Sequence, residues 1–209
     1  MKAAVLSESL ANEATVRILV EGIIGRPTEP VGFSIRQRDW PSVLINLPAV
    51  LSYLHYRTDA EALVVVVDSD DSLLHQPAHD MPGGLNSDCR RCRLQEAINH
   101  TRSQLAPLPG RDAIKTAVGV AVPAIEAWCL CGNDSCASEA VWSQGGTSMR
   151  GRHFRNELKR KLYGAHPSPL SLQSERAIQE ARRLAQDITL LESFFPVGFG
   201  TLARDVRNW

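Results

Sequence analysis

A chain of 209 residues is long enough for one sizeable hydrophobic core, or for one domain with an added subdomain. Its 23 Lys and Arg balance 23 Asp and Glu, which excludes a global field drawing it to nucleic acid or an anionic membrane and leaves such binding to local patches. No apolar run approaches the ~20 residues of a membrane span, the N-terminus lacks the layout of a secretory signal, and five cysteines suit a reducing compartment, so a cytoplasmic protein is expected.

Lys2 to Ser7 reads as a short buried strand, and Glu8 follows it at once. Asn12 is placed to cap a helix whose apolar residues Val16, Leu19, Val20, Ile23 and Ile24 recur at helical spacing, with Glu13 in its first turn and Gly25 and Pro27 ending it. Val31, Phe33 and Ile35 alternate with Gly32, Ser34 and Arg36, which predicts a second strand nearer an edge. From Pro41 onward Val43, Leu44, Leu47, Val50, Leu51 and Leu54 form one apolar helix face, with Pro48 either kinking the helix or marking its true start. Leu63 to Val67 is an unbroken apolar run, the mark of a strand buried on both faces, and it stops abruptly at Asp68-Ser69-Asp70-Asp71.

Ser72 to Ser87 has no sustained period and contains His75, Pro77, His79, Pro82, Gly83 and Gly84; it reads as a long loop beside the acids, of the kind that often serves as a lid. Ser87 or Asp88 can cap a helix running to about Gln104, whose first turns hold Cys89, Arg90, Arg91, Cys92 and Arg93. Basic residues there oppose the helix dipole, which suits a phosphate-facing role, the alternative being a solvated face. Ile114 to Val122 predicts a fourth strand, and Pro123 starts a helix through Ala124-Ile125-Glu126-Ala127-Trp128, so Glu126 is a third acid near a strand end.

Strand and helix alternate four times, which calls for a parallel sheet covered on both faces. The expectation is an α/β domain over residues 1–131, a parallel four-stranded sheet flanked by helices, with a helical C-terminal extension over 132–209 packed on it. Within the extension, Gly132 to Gly146 reads as irregular. A basic helix follows from about Met149 to Tyr163, carrying Arg150, Arg152, Arg155, Lys159, Arg160 and Lys161. A helix from about Ser174 to Leu191 docks through Ala177, Ile178, Ala181, Leu184, Ala185, Ile188 and Leu191, and an aromatic turn at Phe194 to Phe199 leads into a final helix ending at Trp209.

Asp68, Asp70 and Asp71 cannot all stay ionised cheaply without a cation, because each raises the pKa of its neighbours. Hard oxygen donors suit Mg²⁺ or Mn²⁺, and open α/β sheets bind ligands outside the carboxyl ends of their strands. The alternative is a turn capping the next helix.

Glu8 after the first strand, with Asp68-Ser69-Asp70 after the third, resembles the Toprim domain shared by topoisomerases, bacterial primases, the RNase M5 maturase and OLD-type nucleases. The similarity covers about residues 1 to 130. Within that group the chain looks most like small bacterial stand-alone Toprim-related proteins of unassigned function, some found among phage-defence genes. Their glutamate-x-tryptophan motif matches Glu126-Ala127-Trp128, and their closing turn matches Pro196-x-x-Phe199. The resemblance implies that Asp68 and Asp70 bind Mg²⁺ and that Glu8 acts as general acid/base or a further ligand; Asp71 and Glu126, the other acids near strand ends, are further candidate metal ligands. Ser9 stands where the family often has glycine after its glutamate, which keeps Glu13 open as the alternative position.

Such a site suits a Mg²⁺-dependent phosphodiester hydrolase, a nuclease on RNA or DNA with the basic helix from Arg150 to Lys161 tracking the backbone. Tyr53, Tyr56 and Tyr163 carry no mark of a topoisomerase nucleophile. A second reading is a non-catalytic metal- or nucleotide-binding subunit serving a protein partner. Separately, Cys89-x-x-Cys92 and Cys129-x-Cys131, followed by Cys136, could supply thiolates to a structural zinc, with His75 and His79 substituting for two of them. The alternative for these cysteines is a role as small buried hydrophobes.

Overall fold

The computed structural model describes residues 1–34, 39–70, 72–144, 147–164 and 169–209, and only the backbone of residues 144 and 147–152. Four strands form one parallel sheet: β1 (Lys2–Leu6), β2 (Glu29–Pro30), β3 (Ala62–Asp68) and β4 (Lys115–Ala121), in the order β2-β1-β3-β4. The connections are α1 (Leu10–Ile24), α2 (Trp40–Arg57) and α3 (Arg90–Gln104). After β4 come α4 (Ile125–Cys129), α5 (Glu139–Gln144), α6 (Thr147–Tyr163), α7 (Leu170–Leu184), α8 (Ile188–Phe194) and α9 (Gly198–Arg207). The architecture is α/β with a helical C-terminal part.

The alternation of side chains along β3 and β4 makes two cores. Val64, Val66, Ala117 and Ala121 face α1 and the C-terminal helices, while Leu63, Val65, Val67, Val118 and Val120 face α2 and α3. The two faces follow from the strand order. Passing from β1 to β2 moves one way across the sheet and the later crossovers move the other, so a single hand of crossover puts α1 on one face and α2 and α3 on the opposite one. The reversal falls between β1 and β3, where the two crossovers diverge, the switch point at whose carboxyl ends open α/β sheets bind ligands.

Several sequence expectations shift in detail. Ser9, not Asn12, caps α1, its Oγ accepting the Asn12 N–H at 3.2 Å. The second strand pairs at Glu29–Pro30, before the Val31–Phe33 alternation, because the Lys2 and Ala3 register on β1 reaches only those residues; the rest of that expectation, Ile35 and Arg36, lies outside the described residues. Helix α2 runs through Pro48 from a capping box in which Asp39 accepts the Ser42 N–H at 2.9 Å. The segment expected to be irregular contains α5. The expected helix over residues 174–191 is two, because Asp187 starts α8 by accepting the Leu190 N–H at 3.0 Å.

Among the C-terminal helices α9 packs on the sheet, while α7 packs on α1 and α6 on α4 and α7. Helix α9 lies against β4, close enough that a Cβ on Gly198 would stand 2.1 Å from the Val120 carbonyl oxygen. The buried Glu139 carboxylate accepts the Val197 N–H at 2.9 Å and the Gly198 N–H, satisfying amides at the start of α9. No described helix is long and apolar enough to cross a membrane.

Candidate functional site

Glu8, Asp68 and Glu126 come together at the carboxyl edge of the sheet, each just past or at the end of a strand. Glu8 Oε1 accepts the Asp68 N–H at 3.0 Å, bridging β1 and β3 where the strand order reverses. Asp68 Oδ1 accepts the Ile125 N–H at 3.0 Å, tying β3 to the entry of α4. Two further bonds hold that corner: Ser69 N–H donates to the Ala121 carbonyl at 2.7 Å, and Asp70 N–H to the Pro123 carbonyl at 3.0 Å. Glu126 is buried, accepts the Tyr163 hydroxyl at 3.3 Å and has the Lys159 ammonium at 3.9 Å.

Three carboxylates in this space repel one another. Burial, then the charges of Glu126 and Glu8, hold the Asp68 carboxyl well above the usual range, against the opposing effects of the Ile125 amide and Lys159. Burial also raises Glu8, although the Asp68 amide, Arg90 and Lys159 pull it down. The buried Oε2 of Glu126 has no hydrogen-bond partner among the described residues. An unpartnered carboxylate oxygen beside two other acids is the arrangement a hard cation would relieve.

Asp70 is turned elsewhere. Its backbone takes φ 47°, a left-handed conformation uncommon outside glycine but tolerated by aspartate, and its carboxylate pairs with Arg90 at 2.9 Å and with Arg155. Arg90 also donates to the Asp68 carbonyl. Asp71 lies outside the described residues, as do the side chains of Arg150 and Arg152. Glu13 sits on α1 beside Arg17, so it is Glu8 that joins Asp68.

Beside Asp70 a cavity of about 890 Å³ is lined by Trp40, Asp88, Arg90, Arg93 and Trp142. Arg90 and Arg93 stack over the Trp40 ring at 5.0 and 5.5 Å. Arg91 instead pairs with Asp205 at 3.2 Å and bonds the Val118 carbonyl, a role within the fold. Arg155, Lys159 and Tyr163, which the sequence presented only as members of a basic helix and a tyrosine count, reach the acids together. Their signal was spacing: four residues apart, they share one face of α6. Burial and the Glu126 charge push the Tyr163 phenol up, away from the ionised state a nucleophile needs.

The cysteines divide. Cys89 and Cys92 meet His75 and His79, whose donor atoms with theirs all lie within 4.8 Å of one another. Cys129, Cys131 and Cys136 take no part in that group; the carbonyls of Cys129 and Cys131 accept from Arg183 at 3.2 and 2.7 Å. Compared with protein-family models, curated proteins and solved structures, the chain matches none of them.

Proposed function

We propose that the chain is a Mg²⁺- or Mn²⁺-dependent phosphodiester hydrolase acting on RNA or DNA, in which Glu8 and Asp68 keep the roles that the Toprim resemblance gives them and Glu126 takes the place of Asp70. The observation that carries this reading is the convergence of Glu8, Asp68 and Glu126 at the carboxyl edge of the sheet, with one buried oxygen of Glu126 left without a partner among the described residues. The donor set is all hard oxygen, and Mg²⁺ asks for only one or two carboxylates, keeping its other positions for water and phosphate. Asp68 and Glu126 would hold the ion. When bound, the metal supplies charge to a phosphate oxygen and lowers the pKa of a water.

The chain's own groups supply the rest. Glu8, held above the ordinary carboxylate range by burial, is a stronger proton acceptor than a solvated carboxylate. Arg90 and Arg155, now on Asp70, are placed to take phosphate oxygens at the mouth of the cavity lined by Trp40 and Trp142. Nucleic acid is the fitting substrate class, since guanidinium groups suited to phosphate oxygens stand beside the acids.

One observation favours the second reading, a non-catalytic metal- or nucleotide-binding subunit for a protein partner: Asp70 is closed by two arginines rather than open to an ion. The two readings part on one assay. Labelled RNA and DNA are incubated with wild type, Glu8→Gln and Arg155→Ala, with and without Mg²⁺ or Mn²⁺. A hydrolase cleaves only with metal, loses about 10²-fold or more in kcat in Glu8→Gln, and mainly gains KM in Arg155→Ala. Metal-dependent retention of nucleotide without cleavage would leave the binding subunit.

A further inference from the structure

We propose that His75, His79, Cys89 and Cys92 form a structural zinc site that braces the long loop after β3 against the start of α3. The four residues come from two pairs, His75-x3-His79 and Cys89-x2-Cys92, each with a spacing usual for two ligands of one zinc. Their donor atoms lie within 4.8 Å of one another. His75 Nδ1 stands 3.6 Å from Cys89 Sγ and 3.7 Å from Cys92 Sγ. A tetrahedral zinc with bonds of about 2.3 Å to sulfur and 2.0–2.1 Å to nitrogen has N···S edges of about 3.5–3.6 Å. The cage is therefore already near the size of the ion.

Two neighbouring features point to the same occupant. His75 Nε2 faces Asp80 Oδ1 at 3.1 Å, so a carboxylate can fix the ring with its other nitrogen turned to the sulfurs, as carboxylates do behind zinc-bound histidines. His79, packed beside the His75 ring with centroids 5.3 Å apart, accepts a long hydrogen bond from the Gln76 N–H at its Nδ1, 3.4 Å away. The loop carries a 3₁₀ turn at Pro77–Asp80 and a few local backbone hydrogen bonds, but little apolar packing. Of residues 72–88, His79 alone is buried, while Leu73, Met81 and Leu85 are 43%, 65% and 57% exposed. Little apolar burial offsets the entropy of holding this loop in one shape, whereas a metal crosslink would. Two thiolates and two imidazoles in a tetrahedron select zinc over Mg²⁺ or Ca²⁺. The site stands apart from the acids and has its own consequence: Cys89 and Cys92 flank Arg90, so the ion would set the turn of α3 from which Arg90 reaches Asp70.

The test uses the full chain, stripped with chelator and reconstituted with Zn²⁺ or Co²⁺. About one ion per chain should be retained after gel filtration, and the Co²⁺ form should show the visible bands of a tetrahedral thiolate site. The pair His75→Ala and Cys92→Ser should lose both, and Cys136→Ser should keep both. Should those variants fail to fold, alkylation of the wild type decides, with Cys89 and Cys92 protected by zinc and released by chelator. Failure of the reconstituted wild type to hold zinc, retention by the His75 and Cys92 variants, or protection confined to Cys131 and Cys136 would overturn the site. Metal content and thiol protection are read without any nuclease assay, so either result leaves the hydrolase proposal to its own test.

Discussion

At the scale of single residues, Asp68 is a carboxylate set against both its burial and its acidic neighbours. Its carboxyl is held well above the usual range, chiefly by burial and then by Glu126 and Glu8, and Glu8 is raised for related reasons. A carboxyl raised by folding binds its proton more tightly in the folded state. Without metal, the associated stability is fully present below the unfolded carboxylate pKa of about 4 and is lost as pH rises through the raised folded values. Asp68→Asn keeps an oxygen for the Ile125 amide while removing a charge, so in chelator at pH 7.5 it should match or exceed the wild type, by about 1 kcal/mol. Thermal unfolding from pH 4.5 to 8 checks this: the wild type should fall with pH and the variant fall less, and a large loss of stability in Asp68→Asn would refute it. Glu8, Asp68 and Glu126 were legible in the sequence because each ends or follows an apolar run. Whether Asp70 joined them was not, because its side chain is directed by a φ of 47° and by two arginines from distant helices.

Elements were legible where one face of the sequence is continuous, as in α2, β3 and β4. They were less so where a polar side chain from elsewhere fixes a boundary. Arg111 is such a case: its guanidinium donates to the carbonyls of Leu54 at 3.1 Å, His55 at 2.6 Å and Ala60 at 2.7 Å, and to that of Thr58. It closes the C-terminal end of α2, where carbonyls lack helical partners and the dipole favours a cation. Arg111→Met retains the aliphatic length but no donor, and should cost about 2–4 kcal/mol in urea unfolding with an unchanged m-value. Arg111→Lys should recover only part, since one ammonium cannot reproduce the planar fork. An effect below 0.5 kcal/mol would mean that water replaces the guanidinium without loss. The same logic explains α5 and α9, whose junction depends on Glu139 meeting amides 58 and 59 residues away. It also explains Arg155, Lys159 and Tyr163, whose shared face was readable in α6 but whose target was not.

For the whole molecule, the strand order is what makes a site out of scattered acids. Sequence pattern gives the alternation of strand and helix, but only pairing gives β2-β1-β3-β4 and hence a switch point between β1 and β3. Likewise the sequence offered five cysteines and two loop histidines, and only tertiary distance separates Cys89 and Cys92 from Cys129, Cys131 and Cys136. The acids and the histidine–cysteine group then form two centres of opposite chemistry, hard oxygen and soft sulfur with nitrogen, on either side of Arg90. The central claim is that the acidic edge binds a divalent cation, and Mn²⁺ titration followed by electron paramagnetic resonance, on zinc-loaded protein at pH 7.5, tests it most directly. The account predicts about one Mn²⁺ per chain in the wild type, displaced by excess Mg²⁺ and lost in both Asp68→Asn and Glu126→Gln. Mn²⁺ bound equally by all three proteins, or by none, would contradict it.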